Sequence, residues 1–401
     1  MSNIDQHSQA VIRERAGIPR FAYLLTACIG VIGSNSLAFG PIAPEVARSL
    51  GVGVPSVMTA SAVFGLGTAG SAMLLGRLID RHGAARMLRI ALLLLALGLA
   101  ASGLAPVLVL LVAAQFVVGV AAGIALPTIY TLAAAVAPPG RESQTIGVVL
   151  TGWTLSMVAG VSLSAVIADL VGWRFVFAVM AAGAFAVSGV VWRTAPHSEG
   201  AAETISQSPV AALRVPGVVP LLGACAVFMA SFYGVYAYIG DHVHATLGLT
   251  VSANSLIAVA YGLGFGGAVF FDPLIDRFGA ARLLAPIFLC VGAIFVAMAA
   301  LSDSYAGMLL AVFAWGLANH FGLNVLIMRL TALAPARRGA IMGLNSAVTY
   351  VALFVGTTGF GAFYGVGGFA ALPCAAAALM LGAAALAVLA HRPFRPCAIP
   401  D

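Results

Sequence analysis

Twelve times between residues 20 and 390 the chain turns apolar for about twenty residues and then breaks. The runs are 20–41, 55–77, 87–104, 107–135, 145–169 and 174–193, then 216–240, 253–273, 283–301, 306–333, 340–364 and 370–390. A helix rises about 1.5 Å per residue, so a run of roughly 20 residues crosses a hydrocarbon core of about 30 Å. None of the runs carries a broad polar stripe, as expected for helices that face lipid on one side and other helices on the rest. Charged residues make up 8% of the chain, against about 25% in soluble domains. Charge this sparse cannot cover a water-facing surface, and a soluble multidomain enzyme is excluded. The expectation is an all-α membrane protein of twelve transmembrane helices.

Several function classes fall away on the same reading. Cys28, Cys225, Cys290, Cys374 and Cys397 show no metal-ligand spacing, and buried thiols acting as small apolar residues are expected rather than a disulfide. There is no nucleotide-binding loop, metal cluster or nucleophile–base pair, so neither an enzyme, a cofactor nor a metal is expected. The net charge of +6 comes from arginines scattered through short loops, so no nucleic acid partner is expected. The apolar stretch after Arg13, Arg15 and Arg20 is longer than a signal-peptide core of about 7–15 residues and should remain as the first helix.

All nineteen basic residues are arginine, and they orient the chain by the positive-inside rule. With the N-terminus in the cytoplasm, sixteen lie inside or at the inner interface: 13, 15, 20, 77, 81, 86, 89, 141, 193, 214, 277, 282, 337, 338, 392 and 395. Arg48 and Arg174 fall outside, and Arg329 lies near the inner end of the tenth run. The expected placement is a bacterial inner membrane with both termini cytoplasmic.

Residues 78–86 read LIDRHGAAR and residues 274–282 read LIDRFGAAR, 196 positions apart. Pro139, Arg141 and Gly147 recur at that offset as Pro335, Arg337 and Gly343. Both copies must face the cytoplasm, so an even number of crossings separates them. The halves are then parallel repeats related by an axis along the membrane normal. Two six-helix bundles are expected, 1–193 and 216–401, joined by a polar cytoplasmic linker at 194–215.

With these motifs in view, the chain resembles the major facilitator superfamily over nearly its whole length. Within it, the chain looks like the bacterial twelve-helix drug:proton antiporter group, which includes arabinose-efflux-like and chloramphenicol-resistance-like exporters. The segment Gly76–Arg86 matches the family's loop signature G-x-L-x-D-R-x-G-R-R/K-R/K, with Ala84 and Ala85 at two basic positions. The resemblance implies a gating role for Gly76, Asp80, Arg81, Gly83 and Arg86, and for Asp276, Arg277, Gly279 and Arg282 in the second copy. Asp272 replaces the first copy's Gly76. It is either a coupling carboxylate or an interfacial, arginine-paired one. On the fourth run, Gln115–Gly123 resembles R-x-x-Q-G-x-x-x-G with Gln115 at the arginine, and Gln115 does not titrate. On the fifth, Ser162 and Ser164 replace the Pro and Gly of the antiporter element, which alters its kink. Gly172–Phe177 matches G-W-R-x-x-F, and Trp173 reads as an interfacial anchor.

A transporter of this build holds its substrate near mid-membrane between the halves. Polar and aromatic residues at that depth are the substrate candidates: Asn35, Gln115, Trp153, Phe232, Tyr236, Asn319, His320, Asn345 and Tyr350. Imidazole ordinarily titrates near neutrality, so His320 is a proton-coupling candidate beside Asp272; a hydrogen-bonded structural histidine is the alternative. His242 and His244 read as solvated loop histidines, and Tyr238 as part of an aromatic belt. No carboxylate is placed deep in the core, which argues against a strongly cationic substrate. The expected function is proton-driven efflux of a small organic compound such as a drug, sugar or nucleoside, by a monomer. Uptake, facilitated diffusion and a non-transporting sensor are the alternatives.

Overall fold

The computed structural model describes residues 17–74, 81–138, 141–195, 212–334 and 337–389. Gly76, Asp80 and most of the 194–215 linker lie outside the described residues, as does the side chain of Asp276. Among the described residues there are eleven helical runs long and apolar enough to cross a membrane. The last of these, Arg338–Leu389, is broken at Gly368, where φ is 64°. Divided there, the described residues hold twelve helical runs of membrane-spanning length.

Four helices open the chain: α1 (Arg20–Leu50), α2 (Val54–Leu74), α3 (Ala84–Leu104) and α4 (Leu108–Val136). α5 runs as Glu142–Leu155, a π turn at Ser156–Val161, and Ser162–Val171. α6 is Trp173–Thr194. α7 is Val218–Asp241 with a π extension at His242–Thr246, and α8 is Asn254–Gly267 with a 3₁₀ turn at Ala268–Phe271. A six-residue helix, Pro273–Phe278, leads into α9 (Ala280–Ala300), followed by α10 (Tyr305–Leu333). α11 and α12 are the arms before and after Gly368.

α1 continues to Leu50, past the run expected to end near residue 41, and carries Pro41 and Pro44 inside it. The two prolines remove N–H donors without ending the helix, an interruption that membrane-spanning helices tolerate. The π turn in α5 sits in the stretch where the sequence lacks the antiporter proline. One extra residue in the turn distorts the helix in place of a ring.

The sequence repeat has a structural counterpart. Gly83 and Gly279 adopt matched conformations, φ 81° and 83°, each at the N-cap of the next helix. Only glycine enters that region cheaply. Deeper in the membrane the match falls at 197 positions. A Cβ on Gly67 would lie 2.7 Å from the Phe116 carbonyl oxygen, and one on Gly119 would overlap that of Phe64. In the second half a Cβ on Gly264 would overlap the Phe313 carbonyl oxygen, and one on Gly316 that of Tyr261. The α2–α4 and α8–α10 contacts are thus the same small-residue packing, made twice.

Three residues sit deeper than the sequence suggested. Trp173 is buried rather than lipid-facing, with the Arg174 guanidinium 4.4 Å from its ring centroid. Arg174 also donates to Ser49 Oγ and the Ala105 carbonyl, tying α6 to the ends of α1 and α3. Tyr238 is fully buried, donates to the Thr357 carbonyl at 2.8 Å and stacks on Tyr364. His242 is buried too, stacked on Phe369 with Nε2 2.8 Å from the Ser302 carbonyl oxygen. The bend at Gly368 folds α12 back and brings Phe369 over that ring, which no local pattern foretells.

Candidate functional site

Asp272 and His320, read separately from the sequence, meet. The 3₁₀ turn after α8 ends at Asp272, and its Oδ1 lies 2.9 Å from His320 Nε2 on α10. Asn324, one helical turn further along α10, donates Nδ2 to the same oxygen at 3.1 Å. The Asp272 side chain is 34% exposed and that of His320 12%, so the pair is shielded without being sealed from water. Among the described residues the side-chain partners of Asp272 are His320 and Asn324 rather than an arginine. Asn324 was missed from the sequence; its spacing of four from His320 on one helix face was the available signal.

An aromatic cluster runs toward this pair from α7. Phe232 stacks on Tyr236 at 5.7 Å, tilts against Tyr261 at 5.5 Å, and meets Trp315 at 5.3 Å. Tyr261 stacks on Phe265 at 6.1 Å, and Phe265 meets the His320 ring edge-on at 5.1 Å. Asn319 donates Nδ2 to the Tyr261 hydroxyl at 2.8 Å, while its buried Oδ1 has no hydrogen-bond partner. Asn345, on α11, is also buried with an unpartnered Oδ1. An unmade hydrogen bond on a buried acceptor costs about 1–3 kcal/mol.

The first half places its candidates differently. Asn35 of α1 and Gln115 of α4 bond each other reciprocally at 3.0 and 3.2 Å, and Gln115 also donates to Ser102 Oγ of α3 at 3.0 Å. Both are buried. This neutral network ties three helices together and its carboxamides are spent on one another. Gln115→Leu is expected to strand the Asn35 carboxamide and destabilise the fold by about 1–3 kcal/mol, read as a lower midpoint in detergent melting. The Asn35→Leu, Gln115→Leu double variant is expected to lose less than the sum of the singles. Trp153 Nε1 of α5 reaches the Tyr130 hydroxyl at 3.4 Å, and Tyr350 of α11 meets Phe64 of α2 edge-on across the halves at 6.2 Å.

Among the loop candidates Arg81, Arg86, Arg277 and Arg282 are exposed. Arg277 lies over the Phe278 ring at 5.5 Å.

The halves also meet around α1 and α7. Asn254, at the start of α8, donates Nδ2 to the carbonyls of Pro41 and Gly240, each at 3.2 Å. A Cβ on Gly240 would overlap the Gly40 carbonyl oxygen. Three helices from both halves therefore converge on one buried carboxamide.

Comparison with known proteins gives a consistent picture. The family model described as Major Facilitator Superfamily matches residues 24–357. The chain is 26% identical over 383 residues to the uncharacterized MFS-type transporter YwfA of Bacillus subtilis (strain 168), covering 93% of this chain and 92% of that protein. It is 24% identical over 340 residues to YbcL, another uncharacterized MFS-type transporter of the same organism, covering 83% and 86%. In fold it is similar to a bacterial homologue of the human lysosomal transporter Spinster in an inward-facing, occupied conformation. That match has TM-score 0.74 and 15% identity, and covers 93% of this chain and 97% of the other. It is also similar to the nucleoside transporter NupG, with TM-score 0.71, 13% identity and coverage of 93% and 99%.

Proposed function

As the chain belongs to the major facilitator superfamily, and is therefore a multi-pass membrane transporter rather than an enzyme, we propose that it exports a small neutral organic compound in exchange for protons. The observation that carries this is the Asp272–His320 pair. Ionisable groups at membrane depth are expensive and are kept where they carry charge or protons. An imidazole facing a carboxylate becomes a neutral ion pair when it takes up a proton, and when it releases the proton the remaining carboxylate charge still accepts hydrogen bonds from His320 and Asn324.

The proposed build is two six-helix bundles, 1–193 and 216–401, acting as a monomer in a bacterial inner membrane with both termini cytoplasmic. The bundles rock about the contacts of α1 with α7 and α2 with α11, and the arginine-bearing loops act at the cytoplasmic face. No cofactor is required; the proton gradient supplies the energy. The substrate reading follows from the polar groups near the aromatic cluster, which are hydroxyls and carboxamides. Flat rings stack on Phe232, Tyr236 and Tyr261, and donor groups would satisfy the open carboxamide oxygens of Asn319 and Asn345. Nucleosides, sugars and neutral drugs fit that description.

Melting of the purified protein across such a panel identifies a ligand, since binding to the folded state raises the midpoint. Everted vesicles loaded through that ligand then test coupling. Accumulation should collapse when the pH gradient is dissipated; accumulation that persists unchanged would overturn antiport. Gln115, neutral where the family carries arginine and already bonded to Asn35, favours facilitated diffusion as the second reading.

Alternating access requires the Asn254 bridge to break. Asn254→Leu is therefore expected to populate the state open at the end where α1 and α7 meet. Spin labels at Ser49 and Thr246 should report a longer distance than in the parent, and an unchanged distribution would show that the bridge does not hold that end shut.

A further inference from the structure

Aspartate is a favoured helix N-cap, and Asp272 occupies that position of the helix Pro273–Phe278, with a proline at its first turn. It makes no capping bond. Its Oδ1 is spent across the helix interface, on His320 Nε2 and Asn324 Nδ2 of α10. The repeat supplies an internal control. At 197 positions' offset, His320 corresponds to Gly123 and Asn324 to Pro127. A Cβ on Gly123 would overlap Ser71 and Thr68 of α2, so that copy packs closely with no ionisable group. Packing α8 on α10 therefore does not demand the polar set.

We infer that Asn324 is a positioning residue that fixes the tautomer of His320. The inference rests on the coupling reading of the same pair. A carboxylate only accepts, and of the two ends of a carboxamide only the NH₂ donates, so the Asn324–Asp272 bond stands in one orientation. With Oδ1 held by Asn324 it presents an acceptor to the ring, and Nε2 must carry hydrogen to meet it. The neutral imidazole is thereby held as the Nε2–H tautomer. Nδ1, which has no partner among the described residues, is the atom left to take and release the proton. Phe265 and Phe321 pack against the ring edge-on at 5.1 and 5.8 Å and offer it no competing charge. Among the described residues no second charged side chain is paired with either group. Without Asn324 the partly exposed carboxylate is free to rotate, and the ring loses what distinguishes its two nitrogens.

The test uses the full-length protein in proteoliposomes with ring-¹⁵N histidine, read by solid-state NMR at a pH where imidazole is neutral. The His320 signals are those lost in His320→Gln. The parent is expected to show Nε2–H alone. Asn324→Leu should show both tautomers, and Asn324→Gln, which keeps an amide donor, should return toward one. Should the leucine variant fail to fold, Asn324→Ser, whose side chain is too short to reach Asp272, gives the same reading. A single unchanged tautomer in Asn324→Leu or Asn324→Ser, or an Nδ1–H signal in the parent, overturns the inference. The two readings fail separately. Gradient-driven accumulation that survives Asp272→Asn sinks the coupling reading while the tautomer result stands. Coupling lost in Asp272→Asn with the tautomer unmoved in Asn324→Leu sinks the role of Asn324 alone.

Discussion

Asp272→Asn is expected to abolish gradient-driven accumulation while leaving passive exchange of the substrate intact. One pH unit corresponds to about a tenfold equilibrium ratio for one proton exchanged per substrate molecule. Vesicles of the parent protein under a one-unit gradient should approach about that ratio, and the variant should fall to a ratio near unity. The physical reason is that asparagine keeps the size and much of the hydrogen bonding of Asp272 but cannot balance a charged imidazole. His320→Gln should behave alike, since glutamine can reach the same oxygen with an amide but carries no exchangeable charge. Loss of both accumulation and exchange would instead mark the pair as structural, because a purely coupling group is not needed for downhill exchange. The measurement is paired entry of labelled ligand with the gradient present and dissipated, from the same vesicle preparation.

Gly316→Val is the second large effect, this time on stability. Even the first carbon of a side chain at Gly316 would overlap the Tyr261 carbonyl oxygen, and that atom belongs to a helix backbone that cannot rotate away. Valine must push α10 from α8. Overpacking of this kind costs about 1–3 kcal/mol, and separation of the helices would also pull His320 from Asp272. Gly119→Val should cost a similar amount by overlapping the Phe64 carbonyl oxygen of α2, yet leave the Asp272–His320 pair in place. Two variants of like chemistry in matched positions should therefore lose similar stability in melting experiments but differ in coupling. Equal loss of coupling in both would mean that global destabilisation, rather than local geometry, carries the effect.

These contrasts depend on how α8 and α10 resemble and differ from α2 and α4. The glycines at 67, 119, 264 and 316 were all visible in the chain, but the LIDR segments signal an offset of 196, whereas the membrane contacts align at 197. For α2 and α8 the difference of one residue falls where α8 tightens into the 3₁₀ turn Ala268–Phe271 before Asp272, and for α4 and α10 it falls in the preceding connection, residues 301–304 against 105–107. A 3₁₀ turn rises more per residue than an α-helix, so fewer residues cover the same distance. Sequence comparison alone had aligned Asp272 with Gly76 and placed it at the inner end of the eighth run, as an interfacial or coupling carboxylate.

The apolar runs, the arginine bias and the LIDR repeat were legible without coordinates, because each depends only on residue type and order. Lipid excludes unpaired backbone and charge from any run of that length whatever the run packs against. Partnership was not legible. Asn35 and Gln115 look like ligand contacts until they are seen bonded to each other, and Asp272 looks like an interfacial charge until α10 supplies His320 and Asn324. Local sequence determines which groups a helix carries and on which face they lie. The approach and rotation of neighbouring helices, set by glycine contacts spread over the whole bundle, decide which of those groups meet.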